Sequence, residues 1–253
     1  MGLTRNITKG ITRGITRELI DPFDLQIGSS RCNFDFSETN TITASGNDVI
    51  SVTDLFGTGI TLSQSSSSNR PKTGLMTQNG LNVVKFTATN TEFLNLSSNS
   101  VFNSAFTIFI VAQSNSTDAV QAFLGRQISN DLGSFVSRRE ANGFVFNSFL
   151  YGTGGSSQIA KASNNNANIH TLSFENGGGL TYSLNNGAST SGAARSGYAD
   201  DPVILAAIGA SNGLGGNPLD GWIGQVIIYG AVLTTSQISA INRYLSKKWG
   251  IAI

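Results

Sequence analysis

Hydrolysis of a sugar linkage takes two carboxylates flanking one bond, and a β-strand supplies them most simply at alternate positions, where side chains share a face. The sequence holds no Glu-x-Asp-x-Glu run or close variant. Glu38, Glu92, Glu140 and Glu175 lie far apart along the chain and each lacks a partner at that spacing. A glycosidase is therefore the least favoured of the functional readings, and no catalytic residue is assigned. His170 is the only histidine and Cys32 the only cysteine. A transition-metal site or a nucleophilic triad would rest on one residue, with no nucleophile-elbow motif to match it. His170 reads instead as a structural histidine opening a strand, and Cys32 as a small packing residue. The Gly-rich runs at Gly152–Gly155 and Gly177–Gly179 lack the strand–loop–helix setting of a phosphate cradle and read as hairpin loops. Trp222, Tyr151, Tyr182 and Tyr198 could stack on a sugar or serve the core, and nothing in the sequence separates the two.

The elements that would position such residues are strands. Hydrophobic residues make up 39% of the 253-residue chain while charged residues reach only 12%, so Gly, Ser, Asn and Thr fill the remainder and favour a turn-rich sheet protein. Asn-Gly steps at Asn79, Asn142, Asn176, Asn186 and Asn212 mark hairpin junctions. Between them lie strand-like runs at 82–87, 106–113, 144–151, 170–175, 180–184, 203–209 and 222–229. Thr107–Ala112 is almost unbroken in its apolar character, as a central strand buried on both faces would be, and Val226–Tyr229 looks the same. A single helix is well marked at 235–249. Thr234 and Gln237 form a capping box, Ile238, Ile241, Leu245 and Trp249 fall on one side, Lys247 and Lys248 occupy the last turn, and Gly250 can close it.

The first twenty residues stand apart. Leu3-Thr4-Arg5-Asn6 is followed by Ile7-Thr8-Lys9-Gly10, Ile11-Thr12-Arg13-Gly14 and Ile15-Thr16-Arg17-Glu18, a four-residue repeat. In an extended conformation Leu3, Ile7, Ile11 and Ile15 share a face with Arg5, Lys9, Arg13 and Arg17. Four basic residues against one acidic give residues 1–20 a charge of +3, leaving 12 basic and 14 acidic groups in the rest. An arm this short cannot bury its own isoleucines, so a partner surface or a neighbouring copy in a homo-oligomer is expected to complete it. A tail, or a first strand of the domain's own sheet, is the alternative. Nucleic acid is not expected as a partner, because aromatic residues do not interleave with the basic ones. The opening residues lack the apolar core of a secretory signal, and no apolar run approaches the ~20 residues that span a bilayer. Residues 21–253 are expected to form one domain.

Several segments resemble the laminin-G-like, concanavalin A-like jelly rolls. Leu219-Asp220-Gly221-Trp222-Ile223-Gly224-Gln225-Val226-Ile227-Ile228-Tyr229 is similar to their closing strand. Ala231–Thr234 and the helix ending Tyr244–Gly250 resemble a tail common among bacterial and bacteriophage members. Ser68–Pro71 with Leu81–Phe86, the strand Phe106–Ala112 and the hairpin Tyr182–Gly187 resemble earlier parts of the fold. The resemblance implies an all-β concanavalin A-like β-sandwich with a C-terminal α-helix and an extended N-terminal arm. It further implies a bacteriophage virion structural protein, a capsid decoration or head/tail accessory component made in the host cytoplasm. Its arm residues 3–17 would bind other virion proteins of the capsid or tail. The alternative it implies is a glycan-binding adhesin that meets host surface glycans. Domains of this type often carry Ca²⁺ at the sandwich rim, for which Asp200 and Asp201 with Asp220 or Asn217 could supply oxygen ligands. The preferred reading of Asp200-Asp201-Pro202 is a turn entering the next strand, with no cofactor.

Overall fold

The computed structural model describes residues 31–102, 105–115, 119–126, 134–141, 145–152, 155–162, 164–196, 198 and 205–253. The arm residues 3–17, and Asp200 and Asp201, lie outside the described residues. The chain runs through β1 (Arg31–Asp35), β2 (Ile42–Ser45), β3 (Asp48–Thr53), β4 (Thr61–Ser63), β5 (Thr77–Gln78) and β6 (Leu81–Asn82). It continues through β7 (Val84–Phe86), β8 (Leu94–Leu96), β9 (Ala105–Ser114), β10 (Gln121–Arg126), β11 (Phe135–Arg139) and β12 (Val145–Gly152). Then follow β13 (Gly155–Ala162), β14 (Asn168–Glu175), β15 (Gly179–Leu184), β16 (Thr190–Ala194), β17 (Ala207–Ile208), β18 (Gly221–Tyr229) and the helix α1 (Thr235–Trp249).

Two antiparallel sheets carry the fold. The first has the order β1-β18-β9-β14-β15-β16, with β7 also paired to β18. The second has the order β13-β12-β11-β10-β17-β8-β4-β3-β2, and β5 with β6 makes a separate hairpin. A β-sandwich with one C-terminal helix is the result, as the apolar runs predict.

The near-continuous hydrophobicity of β9 and β18 has a direct structural cause. Alternate residues of a strand face opposite ways, so a strand covered on both faces must be apolar at every position. Ile108, Ile110, Val226 and Ile228 join the core between the sheets. Phe109, Val111, Ile227 and Tyr229 join a second core on the outer face of the first sheet, beneath Ile241, Leu245 and Trp249 of α1. Thr234 caps this helix as its sequence predicts, accepting from the Gln237 N–H while the Gln237 side chain accepts from the Thr234 N–H at 2.8 Å. Gly250 closes it in a left-handed conformation.

Sheet edges need cover, because unpaired backbone groups invite association with another chain. On β1 the loop after β3 supplies it: the Asn33 N–H donates to Asp54 Oδ1 at 2.6 Å, and the Leu55 N–H donates to the Asn33 carbonyl at 2.9 Å. The opposite end is stitched between sheets, where Arg195 Nη2 donates to the Ser156 carbonyl at 2.7 Å.

Three local expectations are revised. Residues 82–87 form two short strands, β6 and β7, rather than one. Of 203–209, only Ala207 and Ile208 pair as a strand among the described residues. The tip of the β15–β16 hairpin is Asn185–Asn186, both left-handed at φ 50° and 56°, with the Gly187 N–H donating back to the Leu184 carbonyl. Asn185 takes the first turn position because its carboxamide accepts from the Ile169 N–H at 2.8 Å, an anchor that glycine cannot provide. Asn79–Gly80 is the expected hairpin turn, with both residues at positive φ.

Candidate binding site

Beside the C-terminal end of α1 the outer face of the first sheet is hollowed into an open cleft of about 410 Å³. Five regions separated in sequence meet there. Gln78 comes from the β5–β6 hairpin, Gln113 from the end of β9, and Asn164, Asn165 and Asn166 from the loop before β14. Asn168 opens β14, Asn185 stands at the β15 turn, and Gly250, Ile251 and Ala252 follow the helix. Seven carboxamides thus line one concavity, together with Ala167, and among the described residues no lining side chain carries a formal charge.

Those carboxamides hold one another in place. Asn168 is buried at 1% exposure and is the hub: its Nδ2 donates to Asn164 Oδ1 at 2.8 Å and to the Asn166 carbonyl at 2.7 Å, and its Oδ1 accepts from Asn185 Nδ2 at 2.9 Å. Gln113 accepts from the indole N–H of Trp222 at 3.0 Å and donates to the Asn165 carbonyl at 2.8 Å. Arg139, buried behind the loop, donates to Asn165 Oδ1 at 2.8 Å and to the Ser114 carbonyl at 3.2 Å. Gln78 Nε2 donates to the Trp249 carbonyl at 2.9 Å and joins the cleft to the end of the helix. Six of the seven amide dipoles are thus fixed before any ligand arrives, which lowers the ordering cost of binding.

A second concavity, of about 670 Å³, lies at the other end of the helix. Its floor is Thr171, Ser173, Thr181 and Ser183 from the outward positions of β14 and β15, and Leu233 and Ile238 border it. Much of its hydroxyl capacity is spent internally. Thr171 Oγ1 donates to Asn242 Oδ1 at 3.0 Å, Ser173 Oγ to Thr107 Oγ1 at 3.2 Å, and Thr181 Oγ1 to the Ser173 carbonyl at 3.3 Å.

The residues that suggest chemistry in the sequence are dispersed or spent in packing. Glu38, Glu92, Glu140 and Glu175 line neither concavity. Glu92 is fully buried, accepting from the Thr87 N–H and from Asn90 Nδ2, while Glu140 pairs with Arg138 at 2.9 Å. His170 is buried between the sheets, its Nδ1 2.7 Å from Tyr182 Oη and its ring 4.6 Å from that of Phe123. Burial lowers its pKa to about 3 and raises that of Tyr182, so His170 is neutral at physiological pH. Cys32 is a buried thiol whose pKa is pushed up by burial and then by the Asp54 carboxylate, which fits a packing role. Asp220 is held by its backbone, its N–H donating to Gln121 Oε1 at 3.0 Å, and among the described residues no three His, Cys, Asp or Glu side chains gather as a metal site would require. Trp222, Tyr182 and Tyr198 are at most 5% exposed, so these aromatics form core rather than a stacking platform.

The cleft itself is marked in the sequence by one signal, the run Asn164-Asn165-Asn166-Ala167-Asn168 ahead of a strand. Nothing in that run alone distinguishes a lined cleft from an ordinary polar loop. Gln78, Gln113 and the Ile251 segment join it only through the fold.

No family model matches the sequence, and no curated protein does either. Solved structures do match its shape. The binding domain of Paraclostridial Mosquitocidal Protein 1 superposes with a TM-score of 0.61 at 11% identity, covering 85% of this chain and 52% of that one. The botulinum neurotoxin serotype G binding domain gives 0.59 at 13% identity, covering 87% and 53%. The binding domain of botulinum neurotoxin DC in complex with SialylT gives 0.55 at 11% identity, covering 85% and 51%. The chain spans about half the length of these structures. At such identities the likeness is one of fold, and that fold is a jelly-roll β-sandwich.

Proposed function

We propose that this chain is a non-catalytic carbohydrate-binding module whose site is the carboxamide cleft, fastened to a larger assembly through residues 1–20. The observation that carries the reading is a lining of seven carboxamides, six of them held by hydrogen bonds, with no charged side chain among the described residues. Each carboxamide offers both donors and acceptors, as sugar hydroxyls require, and the cleft volume falls among small-ligand pockets, ~300–1,000 Å³. Proteins of the same fold give the reading further support: one botulinum neurotoxin binding domain is described in complex with SialylT, and cell entry of type C as dependent on interaction with two ganglioside molecules.

The attachment part of the reading is supported by the Leu/Ile-Thr-Arg/Lys repeat, which is greasy and positive on one face and cannot complete itself. A bacteriophage capsid or tail is the assembly that the family resemblance suggests, with the sandwich projecting toward host glycans. Probing a glycan microarray with the full chain tests the site: binding to at least one saccharide supports it, and none contradicts it. Deleting residues 1–20 tests the arm. The truncated chain is expected to fold and to keep its saccharide binding while failing to join particles, and normal incorporation contradicts the attachment.

A further inference from the structure

From the make-up of the cleft we infer that its ligand is an uncharged saccharide, held without a metal ion; this rests on the carbohydrate-binding reading above. A carboxylate or sulfate entering a site gives up the hydration of a full charge, for which a guanidinium, an ammonium or a bound cation is the strongest compensation. Among the described residues the lining returns none of these. The nearest cation in the network is Arg139, and its guanidinium sits behind the loop at 1% exposure, bonded to Ser114 and Asn165. Its effect on the cleft is indirect. By donating to Asn165 Oδ1 it fixes that carboxamide and leaves Nδ2 as the donor toward a ligand. Among the described residues no hydrogen bond engages the Asn166 carboxamide or Gln78 Oε1. Asn165, Asn166 and Gln78 are thus the ligand-facing groups, two of them able to donate and two to accept, with Asn168 and Gln113 holding the frame. A hard cation such as Ca²⁺ accepts amide oxygens as ligands but draws its charge compensation from carboxylates, and among the described residues none lines the cleft. No described side chain of the lining titrates over the ordinary pH range, so binding should not follow pH.

The full chain is applied to a microarray of matched neutral and sialylated oligosaccharides, lactose and 3′-sialyllactose among them, with and without excess EDTA. Neutral glycans are expected to bind equally well with the chelator present and at about pH 5 and about pH 8. Asn166→Ala and Gln78→Ala are each expected to weaken that binding about 5-fold, the loss of one hydrogen bond; thermal stability should be unchanged in Asn166→Ala and slightly lowered in Gln78→Ala, which also removes the donor to the Trp249 carbonyl. Binding confined to sialylated or sulfated glycans, or abolished by EDTA, overturns this inference and leaves the carbohydrate-binding reading standing. Binding to no saccharide overturns both.

Discussion

The indole of Trp249 occupies the space beside Gly224, where an added Cβ would stand 2.8 Å from its Cη2 and Cζ3 atoms. Gly224 sits at a register shift in the pairing of β18 with β9, and the next residue, Gln225, accepts from Trp249 Nε1 at 3.1 Å. One bulge in the closing strand therefore seats the last residue of the helix. The segment that follows, Gly250 to Ala252, forms a wall of the cleft. Gly224→Ala is expected to destabilise the fold by about 1–3 kcal/mol through this overpacking and to weaken ligand binding along with it. Urea unfolding followed by tryptophan fluorescence measures the first effect.

Lys248 donates to the carboxylate of Asp35, joining the last turn of α1 to the end of β1. The Asp35 side chain is 4% exposed, and its remaining described partners are the N–H and hydroxyl of Ser37. Lys248→Met leaves that carboxylate without its cation in a desolvated place. The expected loss is about 2–3 kcal/mol, and the double variant Lys248→Met with Asp35→Asn should recover part of it.

His170 makes the fold sensitive to acid. Its folded pKa of about 3 lies below the ordinary 6.5, so at intermediate pH the unfolded chain binds a proton that the folded chain does not. Its contribution to stability is fully present above pH 6.5 and is lost as pH falls toward 3. Between neutral pH and about pH 4.5 the expected loss is about 2.5 kcal/mol. His170→Asn should flatten the stability profile over that window while the carboxylates continue to titrate below it. Thermal melts across the range, wild type against variant, check the slope.

Asn168 and Asn166 should separate the frame of the cleft from its working groups. Asn168 is buried and bonds to Asn164, Asn185 and the Asn166 carbonyl, whereas Asn166 is exposed. Asn168→Ala is expected to cost about 1–3 kcal/mol of stability and to abolish binding, because unsatisfied partners remain behind. Asn166→Ala should lose affinity and leave the melting temperature unchanged. A loss of stability in both variants would mean that the whole loop is scaffold.

The two-sided burial of β9 and β18 was legible because only a strand covered on both faces demands an apolar residue at nearly every position. The helix was legible from Thr234 to Gly250 because its caps are local chemistry. Strands such as β10, Gln121–Arg126, were not. Every residue of β10 is buried, yet Gln121 and Arg126 are polar, and only their partners across the fold satisfy them. Asn186–Gly187 misleads as a turn signal because Asn185 is pinned by Ile169 from a neighbouring strand, a long-range contact that shifts the turn by one residue. The cleft was the least legible part. The Asn run before β14 is visible, but Gln113 belongs to the site only because β9 ends beside that loop, and Trp222 matters there as a donor to Gln113 rather than as a sugar platform.

The most direct test of the account follows the side-chain amide resonances of the isotope-labelled full chain by NMR during titration with a neutral oligosaccharide selected on the array. If the cleft is the site, the NH₂ pairs of Asn165, Asn166 and Gln78 shift with one common saturation curve, and the amides of the hydroxyl-lined groove at Thr171 and Ser173 stay still. Shifts confined to that groove, or saturable binding with those three carboxamides unmoved, would contradict it.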